Sequence, residues 1–195
     1  MKTIQKTILA LTLISLSFIS CNKDEDETPV VFPEQNPLAG YLSATGFDQV
    51  KTNRINGGDY EFGFSFIPLV NGKMTALIVK IPDVQAGLRI TIWDKATAAI
   101  LRTESIDVTT AGVEVTKAIT ALELVKDKEY FFTFNSNDWY NYKRTDNAAI
   151  TYPFTVGDLK ITSYSYSSGA TQAIPTAPQF TYYAGDCSFK FQRTE

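Results

Sequence analysis

The residues with the most evident chemistry lie between 135 and 147. Trp139, Tyr140 and Tyr142 supply ring faces that stack on the apolar C–H side of a sugar, and Asn137, Asp138 and Arg144 supply partners for hydroxyls. A sandwich end-loop rich in both is how a glycan-binding site is built. The same Tyr and Asn content suits a protein-binding surface, and a third outcome folds the rings back onto the core. Trp93 follows Ile92, which points inward by alternation, so Trp93 faces out or lies at a sheet rim. It either packs there or stacks on a ligand. Asn135, Asn137, Asp138 and Asp146 are hard oxygen donors that could hold a structural calcium ion, although the Asp-x-Asp-x-Asp-Gly spacing is absent. No other cofactor is expected.

Other chemistry is excluded by composition. The chain has no histidine, which removes the usual general base, the Ser-His and Cys-His nucleophile pairs and most zinc sites. Glycoside hydrolysis needs two carboxylates at a defined separation. Glu61, Asp94, Glu104 and Glu114 lie on or beside strands, but nothing in their spacing pairs them. No glycine-rich phosphate cradle is present. A non-enzyme is therefore expected.

Cys21 carries a different chemistry. Lys2 and Lys6 precede an uncharged stretch from Thr7 to Ile19, and Ser20 stands directly before the thiol. A charged head, a short apolar middle and a small residue at the cut describe a secretory signal. The run is too short to cross ~30 Å of hydrocarbon, which takes about 20 residues. A Cys at that boundary is what a lipoprotein signal peptidase acts on, so the reading is acylation of Cys21 and anchoring to a lipid bilayer. The alternative is an ordinary secreted protein with an incidental cysteine. Residues 1–20 form the signal, and 21–37 are expected to be a disordered tether. Asp24 to Glu27 are four consecutive acids, and Pro29, Pro33 and Pro37 stiffen the tether beyond them. Without residues 1–20 the chain has 16 cations against 21 acids, a net charge of −5. No basic run offers a footprint for nucleic acid.

Residues 38–195 must position the 135–147 segment. Period-two alternation with β-branched and aromatic residues dominates them. Phe62, Phe64 and Phe66 share one face, and Asn71-Gly72 predicts a two-residue hairpin returning through Leu77, Val79 and Ile81. Leu88, Ile90 and Ile92 alternate next, followed by strands at 99–106 and 113–119. Segment 122–130 predicts a corner into a strand whose Tyr130 hydroxyl bonds the backbone upstream, as in the tyrosine corner of immunoglobulin-like sandwiches. A loop at 135–148 precedes strands at 150–152, 159–166, 179–183 and 187–192. Tyr164 and Tyr166 are expected on the face opposite Leu159 and Ile161, and Cys187 on an inner face as a buried structural thiol. About ten short strands without a long helix predict an all-β, antiparallel two-sheet sandwich, jelly-roll or immunoglobulin-like.

Two resemblances add to this reading. The signal and the acids after Cys21 resemble those of Bacteroidetes lipoproteins, which implies an outer-membrane anchor facing the cell exterior; Phe18 stands where Leu is commoner. The succession of Tyr60 to Phe66, Val70 to Lys73, Ile92-Trp93-Asp94, Leu124 to Tyr130 and Phe180 to Phe189 resembles a bacterial extracellular domain-of-unknown-function family. Asp127 departs from its Gly, and its closing Trp is absent. That resemblance implies a β-sandwich found beside sugar-binding and adhesion modules. The resulting expectation is a surface lipoprotein whose sandwich contacts glycan through 135–147. Two alternatives stand beside it: a cell-envelope or fimbria-like assembly component recognising protein, and a carboxylate hydrolase.

Overall fold

A computed structural model describes residues 31–195. The signal, Cys21 and most of the tether lie outside those residues. The described chain forms an α-helix, α1 (Pro37–Thr45), and thirteen strands. These are β1 (Val50–Arg54), β2 (Tyr60–Pro68), β3 (Gly72–Val79), β4 (Gln85–Asp94), β5 (Ala99–Val108), β6 (Val115–Leu124), β7 (Tyr130–Ser136), β8 (Trp139–Lys143), β9 (Phe154–Val156), β10 (Leu159–Ser168), β11 (Ala177–Pro178), β12 (Tyr182–Ala184) and β13 (Cys187–Arg193). Every pairing is antiparallel, and the all-β sandwich expectation is met.

The large sheet runs β11-β10-β2-β7-β4-β5, with β9 also on β10. Its inner face follows the alternation: Phe62, Phe64, Phe66, Leu88, Ile90, Ile92, Phe132 and Phe134 are all buried. Two three-stranded sheets, β13-β3-β6 and β1-β8-β12, cover that face. Phe189 of β13 sits 4.8 Å from Phe66 and 5.6 Å from Phe132, while Trp139 of β8 sits 4.9 Å from Phe62. Tyr130 opens β7 with its ring buried, and its hydroxyl accepts the Val125 N–H at 2.9 Å, so the predicted corner is present. Cys187 is buried opposite Val79, and burial pushes its thiol pKa up, which fits an inert structural thiol.

Five sequence expectations are corrected. Asn71-Gly72 makes no hairpin, because β2 and β3 belong to different sheets and the chain crosses the sandwich there. Gly72 serves close approach: a Cβ would strike the Phe191 ring and come within 2.7 Å of the Gln192 carbonyl. A β-bulge between Ile161 and Ser163 turns Tyr164 to the buried side, where its hydroxyl donates to the Ala184 carbonyl at 3.1 Å. The strand expected at 150–152 forms at Phe154–Val156, past Pro153, whose nitrogen has no hydrogen to give a ladder. The packed body begins before residue 38: Gln35 exchanges backbone hydrogen bonds with Phe191 at 2.7 and 2.9 Å, and Gln192 Nε2 donates to the Phe32 carbonyl. Asn36 then caps α1 through the Leu38 N–H, Pro37 fits its first turn, and Gly46 ends it in the left-handed region.

Residues 139–143 are not loop but strand β8, the centre of its sheet.

Candidate functional site

β8 pairs with β1 on one side and β12 on the other. Residues directly opposite in an antiparallel ladder share a face. Lys51 lies opposite Tyr142 and Asn53 opposite Tyr140, which places these four together. Thr52 lies opposite Asn141, Val50 and Tyr182 opposite Lys143, and Arg54 opposite Trp139, on the other face.

The aromatic residues read as ligand contacts are structural. Trp139 is only 8% exposed, its ring 5.2 Å from Tyr60 and 4.9 Å from Phe62, and Tyr140 and Tyr142 are each 7% exposed. Tyr140 and Tyr142 hold the edge strand β1 in place. The Lys51 ammonium lies 3.5 Å from the Tyr140 ring centre, and the Tyr142 hydroxyl donates to Asp186 Oδ2 at 2.6 Å. Lys51 Nζ is 3.7 Å from the same carboxylate oxygen. Burial raises the Asp186 pKa and outweighs the Tyr142 bond and the Lys51 charge, while burial also lowers the Lys51 pKa. Trp93 is likewise covered: it is 5% exposed, and its Nε1 donates to Thr133 Oγ1 at 3.1 Å.

The polar residues of 135–147 are also committed. Asp138 is buried and accepts the Asn56 N–H at 2.6 Å, and Asn137 Nδ2 reaches Asn56 Oδ1 at 3.5 Å. Arg144 binds Asp146 through two parallel hydrogen bonds of 2.8 and 2.7 Å, which hold the carboxyl well below the usual carboxylate range. Asn135 donates to the Tyr60 and Gly169 carbonyls. The four oxygen donors considered for calcium are thus spread over separate partners, and the described residues contain no group of three His, Cys, Asp or Glu placed for a metal. Three of the four strand carboxylates pair with cations: Glu61 with Arg89 at 2.7 Å, Asp94 with Lys128 at 2.7 Å, and Glu104 with Lys117 at 2.9 Å.

What β8 does present is a groove of about 260 Å³ lined by Thr52, Asn53, Arg54, Asn141 and Lys143. Among the described residues, none of these five side chains makes a hydrogen bond or an ion pair, and Asn141 Oδ1 is a buried acceptor without a donor. Buried polar groups are ordinarily satisfied, so an unspent amide at a groove floor stands out. A wider depression of about 410 Å³ beside Gln85 and Asp107 differs in this respect. There Gln85 Oε1 accepts from Ser136 and Asp107 accepts the Gly87 N–H. Half-buried Tyr182 stands on the groove's face of the sheet, 6.3 Å from Tyr166.

Within the segment singled out from sequence, the rings are buried and other positions are open. Sequence reasoning chooses Trp139, Tyr140 and Tyr142, whereas the open positions are Asn141 and Lys143 between and beyond them, joined by Thr52, Asn53 and Arg54 from a distant strand. The period-two spacing of Trp139, Asn141 and Lys143 against Tyr140 and Tyr142 was the available signal. A scan against protein-family models finds no match to this chain, and a search of curated proteins finds no similar sequence.

Proposed function

We propose that this chain is a cell-surface lipoprotein, acylated at Cys21, whose sandwich binds glycan without catalysis through the groove over β1 and β8. The observation that carries the reading is the set of four uncommitted polar side chains, Thr52, Arg54, Asn141 and Lys143, on one face of a rigid sheet. A polyhydroxylated ligand needs many donors and acceptors held at fixed spacing, and a strand pair supplies them with little entropy left to lose. Half-buried Tyr182 and Tyr166 on the same flank add aromatic surface for sugar C–H faces.

Recognition of a protein partner by strand addition is less favoured. The two long exposed strands β5 and β6 are bridged by cations, each of which occupies one carbonyl of the other strand. Arg102 Nη1 donates to the Thr120 carbonyl at 2.7 Å, and Lys117 Nζ to the Ser105 carbonyl at 2.9 Å. Charged side chains lying on an edge in this way block pairing with another chain.

The test is a polysaccharide array probed with the full-length chain in detergent. A Thr52→Ala/Asn141→Ala double variant removes two neutral hydrogen-bonding groups and should weaken binding roughly tenfold, at about fivefold or less per bond. Wild-type binding that survives both substitutions unchanged refutes the groove.

A further inference from the structure

We infer that the glycan taken by this groove is acidic, its carboxylate or sulfate groups held by Arg54 and Lys143; this rests on the groove being the binding site. Lys143 lies opposite Val50 and Arg54 opposite Trp139, so the two cations stand at the two ends of the β1–β8 ladder. Four residues of strand at about 3.4 Å each separate those ends by roughly 14 Å. Thr52 and Asn141 lie directly opposite each other midway between them. The groove thus has a neutral hydrogen-bonding centre and a positive charge at either end, which matches a chain of sugars bearing repeated negative groups.

The positive charge there is not cancelled. Neither Arg54 nor Lys143 has an acidic partner among the described residues. Three nearby acids are spent elsewhere, and Asp48 and Asp59, which flank β1 in sequence, form no ion pair with either cation. Asp186 is bound by Tyr142 and Lys51, which lie on the other face; Asp146 is bound by Arg144; and Asp138 accepts the Asn56 N–H. In a protein whose formal net charge is −3, these two cations thus stand without an ion-pair partner among the described residues. The exposed Arg54 guanidinium can grip a planar carboxylate with two parallel hydrogen bonds, while half-buried Lys143 acts as a point charge.

The experiment measures retardation of the full-length chain, in detergent, by gels containing polygalacturonate, its fully methyl-esterified form, dextran or dextran sulfate. Retention by polygalacturonate that is lost on esterification supports the inference with carboxylate as the anion; retention by dextran sulfate alone supports it with sulfate. Arg54→Gln and Lys143→Gln should each weaken binding about threefold to fivefold, as exposed ion pairs do, and together roughly 10- to 25-fold. Lys126→Gln, at an exposed lysine outside the groove, should change nothing. Near-ultraviolet dichroism checks that each variant keeps its packing.

Equal retention by neutral and acidic gels, with sensitivity to Thr52→Ala/Asn141→Ala, overturns the acidic ligand and leaves the glycan groove standing. Insensitivity to those two substitutions overturns both. A loss with Lys126→Gln as large as with the groove variants also overturns the inference, since overall charge then explains the binding.

Discussion

Replacing Trp139 by alanine separates a ligand-stacking loop from a core strand. Burial of a large aromatic ring removes roughly 150–250 Å² from water. At about 25 cal/mol per Å² this contributes about 4–6 kcal/mol. Unfolded chains already hide roughly 10–40% of such surface, which brings the figure to about 3–5 kcal/mol, in line with Trp→Ala changes in other cores. The geometry supports the upper part of that range. The ring contacts Tyr60 and Phe62, and its edge packs so closely on Gly57 that a Cβ there would lie 2.5 Å from it. A domain stable by about 5–15 kcal/mol would lose roughly a fifth or more of its margin. The assay is urea unfolding followed by tyrosine fluorescence and far-ultraviolet dichroism, with a thermal scan expected to drop by roughly 6–20 °C. A loss below about 1 kcal/mol would mean that the ring is not packed, and β8 would revert to an exposed loop.

Two further predictions concern the anchor and a buried acid. Metabolic labelling with a palmitate analogue should mark the wild-type chain and leave Cys21→Ser unmarked; label retained by the variant defeats the lipoprotein reading. Burial raises the Glu61 pKa despite the opposing Thr133 and Arg89 contacts, so the folded state holds this proton more tightly than the unfolded state. Its stabilising contribution is therefore complete below the unfolded pKa and lost as pH rises through the folded one. Wild type should accordingly gain stability relative to Glu61→Gln as pH falls from neutral toward about 4, and parallel stability curves would refute this.

The inner faces were legible because one physical rule governs them. Phe62, Phe64 and Phe66, then Leu88, Ile90 and Ile92, alternate without interruption, and each is buried as the alternation requires. Tyr130 was legible because its corner is local, spanning five residues from Val125. Strand pairing was not legible: Asn71-Gly72 has hairpin chemistry, yet its flanking strands join different sheets, a choice made by contacts far away in sequence. The bulge near Thr162 inverted the assignment of Tyr164 for the same reason, since one extra residue flips every side chain beyond it. Helix α1 had signals in plain view, with Asn36 and Pro37 at its start and Gly46 at its end. Pro29, Pro33 and Pro37 mask these signals, because prolines at that spacing equally suit an extended tether.

Segment 135–147 shows why composition alone misplaces a site. Aromatic and amide residues crowd together both in glycan-binding loops and in strands that bury alternate positions, and their mere density does not separate the two. What separates them is whether each polar group has already been used. In β8 the rings are buried, and the flanking Asp138, Arg144 and Asp146 are spent on Asn56 and on each other. Asn141 and Lys143 remain unspent, together with Thr52, Asn53 and Arg54 across the ladder. The Tyr140 and Tyr142 rings still serve that surface. By fixing Lys51 and Asp186 on the opposite side, they hold an edge strand that has only one neighbour in its sheet. Under the proposed function, loosening that clamp would cost binding without touching a groove side chain, through the entropy of a freed β1.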